Sequence, residues 1–261
     1  EYWWPRPVLW LQGFTRFLEG CAGQPSESLA GLEQLLRLAQ SRDSALAQAI
    51  LHYWATHQAE LLGDSPGAMA HARRCGEIVE DFAGAGPSPP LGDYSLGIAH
   101  LLDDNSREAV SYLERAAAIH EETGGAPFEA ANSLSRLAVA YADLGQPERA
   151  RETAARGLAL VRERRLPVLV ALALIMQVQV LRKTQGAEAR EAIEAALAEA
   201  EALVESTGIR SWQPFIHVER AELARLVGDE TTRERELREA HRRFTDMGAA
   251  AHAERVARAL S

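Results

Sequence analysis

Apolar residues recur along most of this chain at the three-to-four-residue spacing of amphipathic helices, and short breaks separate the helical stretches. Five breaks fall at residues that tolerate a left-handed backbone, 41 or 42 residues apart: Gly63, Asp104, Gly145, Gly186 and Gly228. A fixed period of this length is typical of helical repeats. The pattern therefore predicts helix-turn-helix units that stack side by side.

The second helix of each unit begins with suitable residues. Pro66 and Pro147 stand at its start, where a missing N–H costs nothing, while Ser106 and Asp229 can accept hydrogen bonds from free amides. We expect short, well-defined turns between the paired helices.

Columns of small and apolar residues repeat with the same period. In the second helices the small residues are Cys75, Ala116, Gly157, Ala198 and Ala240. Three residues earlier stand Ala72, Leu113, Ala154, Ala195 and Leu237. In the first helices a matching column runs Ala55, Leu96, Leu137 and Val178, and Ala221 continues it beside Arg220. We expect these columns to form the buried faces.

The period divides the chain into six units, at about 8–48, 49–89, 90–130, 131–171, 172–213 and 214–247, and a helix at 249–260 would cap the stack. Residues 84–92 carry three prolines and predict a long loop between repeats. A domain boundary there is the alternative, but the period continues across it. The predicted fold is a single all-α domain, 1–261, forming a right-handed superhelical solenoid of about six antiparallel helix pairs.

Composition narrows the possible partners. Hydrophobic residues make up 47% of the chain and charged residues 25%, which is enough apolar surface to fold. The net charge is -9 and basic residues alternate with acidic ones, which disfavours nucleic acid and anionic membranes. The longest apolar run, 166–176, is shorter than the roughly 18 residues of a membrane span.

The two cysteines and the N-terminal sequence bear on cellular context. Cys21 and Cys75 lack the spacing of a zinc or redox motif, which favours a reducing compartment. The chain opens without methionine or a secretory leader, so we expect a cytoplasmic piece of a longer protein. Tyr2, Trp3 and Trp4 would cover the first helix of this domain or pack on a preceding one.

One unit resembles the tetratricopeptide repeat. It contains Leu134, Leu137, Ala138, Tyr141, Gly145, Ala150, Ala154 and Gly157, in that family's order of large, small and aromatic positions. The period of about 41 exceeds the family's usual 34 and is similar to longer-helix variants in bacterial signal-transduction ATPases. The resemblance implies a protein-binding function.

The segment 212–249 resembles the C-terminal end of bacterial multidomain signalling proteins. In those proteins a class III adenylate or guanylate cyclase, or a LuxR-type DNA-binding domain, is joined to an AAA/STAND-type ATPase and then to helical repeats. The resemblance implies a regulatory arm without catalytic residues of its own.

No residue set predicts catalysis or a cofactor. The chain has no glycine-rich phosphate loop followed by lysine. His71 and Cys75 share a helical face but are too few for a metal site. Histidines and glutamates also share helices at His52, His57 and Glu60 and at His217 and Glu222, without a nucleophile to define a reaction. We predict no catalytic residue, no metal and no cofactor.

The inner face of the first helices is the predicted binding surface, because stacked helix pairs curve to make that side concave. It comprises Tyr53, His57, Tyr94, Ile98, Ser135, Val139, Met176, Val180, Val218 and Glu222. This mostly apolar set favours an apolar or amphipathic peptide segment. A tightly wound superhelix would instead bury many of these residues.

These observations favour a non-catalytic interaction module, acting as the sensor or autoinhibitory arm of a bacterial signalling protein. Its partner would be a protein or peptide, including another domain of the same polypeptide. The alternative is a free-standing adaptor that binds a peptide in its concave groove. A small-molecule effector also remains open, because helical repeats can enclose one.

Overall fold

The computed structural model describes residues 7–42, 44–82, 90–123 and 127–261. These parts contain thirteen α-helices and no strand. The helices are α1 (Pro7–Cys21), α2 (Pro25–Ser41), α3 (Ala45–Leu62), α4 (Ser65–Phe82), α5 (Leu91–Leu102), α6 (Ser106–Thr123), α7 (Pro127–Asp143), α8 (Pro147–Glu163), α9 (Pro167–Gln185), α10 (Arg190–Thr207), α11 (Gln213–Val227), α12 (Glu230–Asp246) and α13 (Ala250–Leu260). Most of the predicted proline-rich loop and the N-terminal aromatic cluster lie outside the described residues.

The first twelve helices pack as consecutive pairs, and the first helix of each pair also packs on the first helix of the next. This arrangement confirms the all-α solenoid of stacked helix pairs that the period predicts. The inner layer consists of α1, α3, α5, α7, α9 and α11, which surround the interior of the superhelix.

The five periodic breaks all have a positive φ angle, as the sequence predicts. Their φ angles are 73° at Gly63, 54° at Asp104, 69° at Gly145, 61° at Gly186 and 77° at Gly228. Gly63 and Gly228 are left-handed C-caps of their first helices, whereas Gly186 has a ψ angle of -136° and begins the 3-10 turn before the next helix.

Asp229 and Ser106, the two polar residues predicted at the starts of second helices, make different hydrogen bonds. Asp229 accepts a hydrogen bond from the backbone N–H of Thr232 at 3.0 Å, as expected of an N-cap. The Ser106 hydroxyl instead donates to the carboxylate of Asp143 in the next unit, at 3.0 Å. Ser106 therefore links two units and does not cap its own helix.

The predicted register is wrong in the fifth unit. Ala195 and Ala198 are exposed, whereas Ile193, Leu197 and Ala200 are buried. A single 3-10 turn over residues 186–189 precedes α10 and delays its buried face by about two residues. In the other four units the small column is buried, at Cys75, Ala116, Gly157 and Ala240.

Helix α9 is a central core helix. By length and composition, the segment Pro167–Thr207 contains a stretch apolar enough to cross a membrane. Residues 169–176 of that segment are all buried, and α9 packs on α7, α8, α10 and α11. Its position inside the solenoid accounts for its apolar composition.

The superhelix brings its first and last units together. The Ser26 hydroxyl donates to the carbonyl oxygen of Met247 at 3.3 Å, and His252 of α13 donates from Nε2 to the carbonyl oxygen of Glu60 at 3.0 Å. Helix α13 therefore packs on α12 and also on α3. The helix predicted at 249–260 lies between the two ends of the stack and borders its interior.

Candidate functional site

Most of the residues predicted for the concave face lie inside the protein. Eight are buried: Tyr53, His57, Tyr94, Ile98, Ser135, Val139, Met176 and Val180. Val218 and Glu222 are half-buried. Neighbouring inner helices cover most of this set. Of the two cavities described below, His57 lines the first, and Val139 and Met176 line the second. Their role in binding stays a prediction.

An apolar cavity of about 220 Å³, partly open to solvent, lies between α1, α3, α7, α9 and residues 209–212. Its apolar walls are Phe14, Phe17, Leu18, Cys21, Leu61, Val168, Leu169, Leu172, Ile209 and Trp212. The polar side chains in the wall are His57 and Asn132. Burial raises the pKa of the Cys21 thiol to about 12, so this side chain is a neutral apolar wall.

A second cavity, of about 240 Å³, shares Trp212 with the first and lies toward the C-terminal ends of α7 and α9. Its charged and titratable lining residues are Glu60, Asp104, Arg136, Asp143, Lys183, His252 and Arg255. Val139, Ile175 and Met176 supply an apolar wall beside them. We call it the charged cavity.

Arg136 and Glu60 form the buried ion pair between α7 and α3. The Arg136 side chain is 1% exposed, and its Nη2 donates to Glu60 Oε1 and Oε2 at 2.9 and 2.7 Å. Burial raises the pKa of Glu60, but Arg136 and His57 outweigh it and lower the pKa to about 2. Arg136 Nη1 has no hydrogen-bond partner among the described residues.

His57 is held by the same ion pair. Its Nδ1 lies 3.6 Å from Glu60 Oε2, and its ring packs against Tyr53, Tyr94 and Phe17 with centroids 5.0, 5.4 and 5.8 Å away. Burial lowers the pKa of His57 more than Glu60 raises it, so the ring is neutral near pH 7. A proton on Nδ1, facing the carboxylate, leaves Nε2 as a hydrogen-bond acceptor. Within the described structure Nε2 has no partner.

An open groove of about 510 Å³ lies between α10, α11 and α12. Its arginines are already paired: Arg190 with Glu194 at 2.8 Å, Arg220 with Glu201 at 2.6 Å and Arg235 with Glu236 at 2.9 Å. Because these arginines already bond to carboxylates, the groove offers a ligand fewer unpaired polar groups than the interior does.

The cysteine and histidine pairs noted in the sequence have structural partners. Cys75 donates to the carbonyl oxygen of Ala49 at 3.3 Å, while His71 Nδ1 lies 3.0 Å from His52 Nδ1. His217 Nδ1 lies 2.7 Å from a Glu236 oxygen. Throughout the described ranges, no three His, Cys, Asp or Glu side chains converge as a metal site would require.

Sequence reasoning missed the ion pair and the wall residue Trp212. One signal was available in the sequence: the charged residue Arg136 stands between Ser135, which belongs to the predicted inner face, and Leu137, which belongs to the predicted packing column. A buried arginine needs an acidic partner. That partner, Glu60, lies 76 residues away in the sequence, and no local pattern pairs it with Arg136.

Comparisons with known proteins agree on the fold. The tetratricopeptide repeat family model matches residues 92–163, which cover α5 to α8. No curated protein matches the sequence. The family match is to a repeat family and not to a catalytic one.

Several solved structures are similar to most of the solenoid. A Rap protein in complex with Competence and Sporulation Factor has a TM-score of 0.65 at 11% identity, over 97% of this chain and 72% of that one. The apo form of RapI has a TM-score of 0.57 at 12% identity, over 95% and 96%. A putative kinesin light chain of Podosopora anserina with TPR-like repeats has 0.50 at 18%, over 77% and 96%. The chain therefore has a tetratricopeptide-like helical-repeat fold.

Proposed function

We propose that this chain is a non-catalytic binding module that holds a protein or peptide segment in the charged cavity. The observation that carries the proposal is the mixed chemistry of that cavity. Ile175 and Met176 line the same cavity as the charged side chains of Arg136, Lys183 and Arg255. An amphipathic segment would satisfy both parts of this lining, with an apolar side chain on one and a carbonyl or carboxylate oxygen on the other.

The comparisons support this proposal. The repeat family match covers the units that carry Arg136, and the similar Rap structure holds Competence and Sporulation Factor. We extend binding of a protein or peptide from these proteins to this chain as part of the proposal.

A peptide display experiment tests the proposed site. We expect selection of random peptides on this chain to enrich amphipathic sequences. Their affinity should fall at least tenfold in Gln179→Trp, because the indole would fill the charged cavity. The control is Gln40→Trp, at an exposed position of α2, which should bind like the unmodified chain. Peptides that bind Gln179→Trp with unchanged affinity would contradict the site.

A finer proposal is that the module is a cytoplasmic sensor or autoinhibitory arm of a bacterial signalling protein. The resemblance of residues 212–249 supports it. The alternative is a free-standing adaptor. An immunoblot of the source organism separates them: a native polypeptide several times heavier than 28.5 kDa supports the arm, and one at that mass supports the adaptor.

A further inference from the structure

We propose that the segment bound in the charged cavity carries charges of both signs: a carboxylate that pairs with Arg255, and an ammonium or guanidinium group that pairs with Asp104. An apolar side chain of the same segment would lie against Ile175 and Met176. This inference rests on the proposed function, because it specifies the chemistry of the segment held at that site.

Two ion pairs occupy four of the charged groups around this cavity. Arg136 is paired with Glu60, and Lys183 is paired with Asp143. Opposite charges in contact largely cancel at a distance, so these pairs attract a charged ligand only weakly. They set the polarity of the wall and leave the recognition of charge to the remaining residues.

The remaining charged residues of the lining are Arg255 and Asp104. Neither side chain forms an ion pair with another residue in the described ranges. Both residues are exposed, so a ligand in the cavity can reach their charged groups from the solvent side. A segment that brings one carboxylate and one cation complements both residues, and such pairing gives orientation as well as affinity.

Helix α13 brings Arg255 to the cavity. His252 and Arg255 are three residues apart on this helix and therefore share a face. His252 donates to the carbonyl oxygen of Glu60 at 3.0 Å, which holds that face at the C-terminal end of α3. Asp104 comes from the turn between α5 and α6. The helix that caps the stack thus supplies one of the two charges of the site.

Octapeptides built only from alanine, leucine, glutamate and lysine test the charge requirement on the unmodified chain. We expect selection from this library to enrich peptides that contain glutamate, lysine and leucine together. Replacing the glutamate or the lysine of an enriched peptide by glutamine should each lower its affinity at least threefold in fluorescence anisotropy. Peptides with free and with amidated C-termini distinguish a side-chain carboxylate from the terminal one.

A charge reversal assigns the carboxylate to Arg255. Arg255→Glu should lower the affinity of an enriched peptide at least tenfold, because attraction becomes repulsion. It should raise the affinity of the analogue that carries lysine in place of the glutamate, or an amidated C-terminus if the terminal carboxylate is the one bound. The control is Arg258→Glu, one turn further along α13 at an exposed position outside the cavity lining, which should leave both affinities unchanged.

A charge removal assigns the cation to Asp104. Its φ angle is 54°, and asparagine tolerates this backbone about as well as aspartate. Asp104→Asn should therefore lower the affinity of the lysine-containing peptide at least threefold and leave the glutamine analogue unchanged. The control is Asp103→Asn, at the exposed neighbouring position that does not line the cavity, which should bind like the unmodified chain.

Enriched peptides that tolerate both glutamine replacements, or that bind folded Arg255→Glu and Asp104→Asn with unchanged affinity, would overturn the proposal. The peptide replacements use the unmodified chain, so they remain decisive if a variant fails to fold. Uncharged peptides that still lose affinity in Gln179→Trp would leave the peptide site itself intact. Peptides that are unaffected by Gln179→Trp would instead contradict the site, so the two failures are distinguishable.

Discussion

His252 Nε2 donates a hydrogen bond to the carbonyl oxygen of Glu60 at 3.0 Å, joining residues 192 positions apart. Glu60 lies in the last turn of α3, and its carbonyl oxygen also accepts a hydrogen bond from the N–H of the cap residue Gly63 at 3.0 Å. Helix α13 thus covers the C-terminal end of α3 and closes the superhelix at the charged cavity, which His252 also lines.

This contact predicts a difference between two glycine substitutions. Gly63 and Gly145 both have left-handed φ angles, so alanine at either should cost about 1–2 kcal/mol. A Cβ at Gly63 would also lie 3.0 Å from the His252 ring and 3.2 Å from Ala251, whereas nothing lies within 4 Å at Gly145. In urea unfolding we expect Gly63→Ala to lose roughly 1–3 kcal/mol more than Gly145→Ala.

Hydrogen exchange provides a second measurement of the same contact. Gly63→Ala should also speed amide exchange in α13, because the added methyl group pushes that helix away. Equal stability losses and equal exchange in the two variants would show that α13 does not pack on α3.

The buried ion pair predicts a large asymmetry between buried and exposed arginines. Arg136→Met leaves the Glu60 carboxylate buried without its partner, so we expect a loss of about 3–5 kcal/mol in free energy of unfolding. Arg162→Met breaks a pair whose side chains are 50% and 44% exposed, where solvent screening limits the loss to about 1 kcal/mol.

A double variant isolates the cause. Adding Glu60→Gln to Arg136→Met should recover part of the lost stability, because it removes the uncompensated charge. If Arg136→Met costs no more than Arg162→Met in urea unfolding, the pair does not have the buried geometry described above.

The contact between His52 and His71 predicts a pH dependence. Burial first, and then repulsion from His71, lower the pKa of His52 from 6.5 to about 4. The unfolded chain therefore binds a proton between pH 6.5 and 4 that the folded chain does not. This contribution is fully present above pH 6.5 and is lost as pH falls toward 4, by up to about 3 kcal/mol.

Two variants test that assignment. His52→Gln should flatten the dependence of unfolding free energy on pH between 7 and 4. In His71→Gln, an NMR titration should show the pKa of His52 moving up, since one source of repulsion is gone. An unchanged pH slope in His52→Gln would refute the assignment.

The shifted register of α10 predicts a large effect for one alanine-to-leucine substitution and a small effect for another at the corresponding repeat position. Ala116 is fully buried in the small column of α6, so Ala116→Leu should cost about 1–3 kcal/mol through overpacking. Ala198, at the corresponding repeat position, is exposed, so Ala198→Leu should change stability by less than about 0.5 kcal/mol. A large loss of stability in Ala198→Leu would show that α10 has the register that the period predicts.

The helices and their repetition can be predicted from local sequence patterns. Turn residues such as Gly63 and Asp104, and stripes such as Ala72 with Cys75, act within one helix pair. The information for them therefore lies within about 41 residues. That range was enough to predict the solenoid, its turns and most of its buried columns. The predicted register was wrong in the second helix of the fifth unit. The break at Gly186 keeps the period, but the short 3-10 turn after it shifts the buried face of α10 by about two residues.

The burial and pairing of the inner-face residues depend on contacts between distant repeats. Small rotations between successive units add up over the whole stack. Their sum brings α13 to α3, buries Tyr53 and Tyr94, and places Arg136 against Glu60. None of these contacts lies within a single repeat, so no local pattern encodes them. The two cavities exist because inner side chains from distant units meet around the interior without filling it.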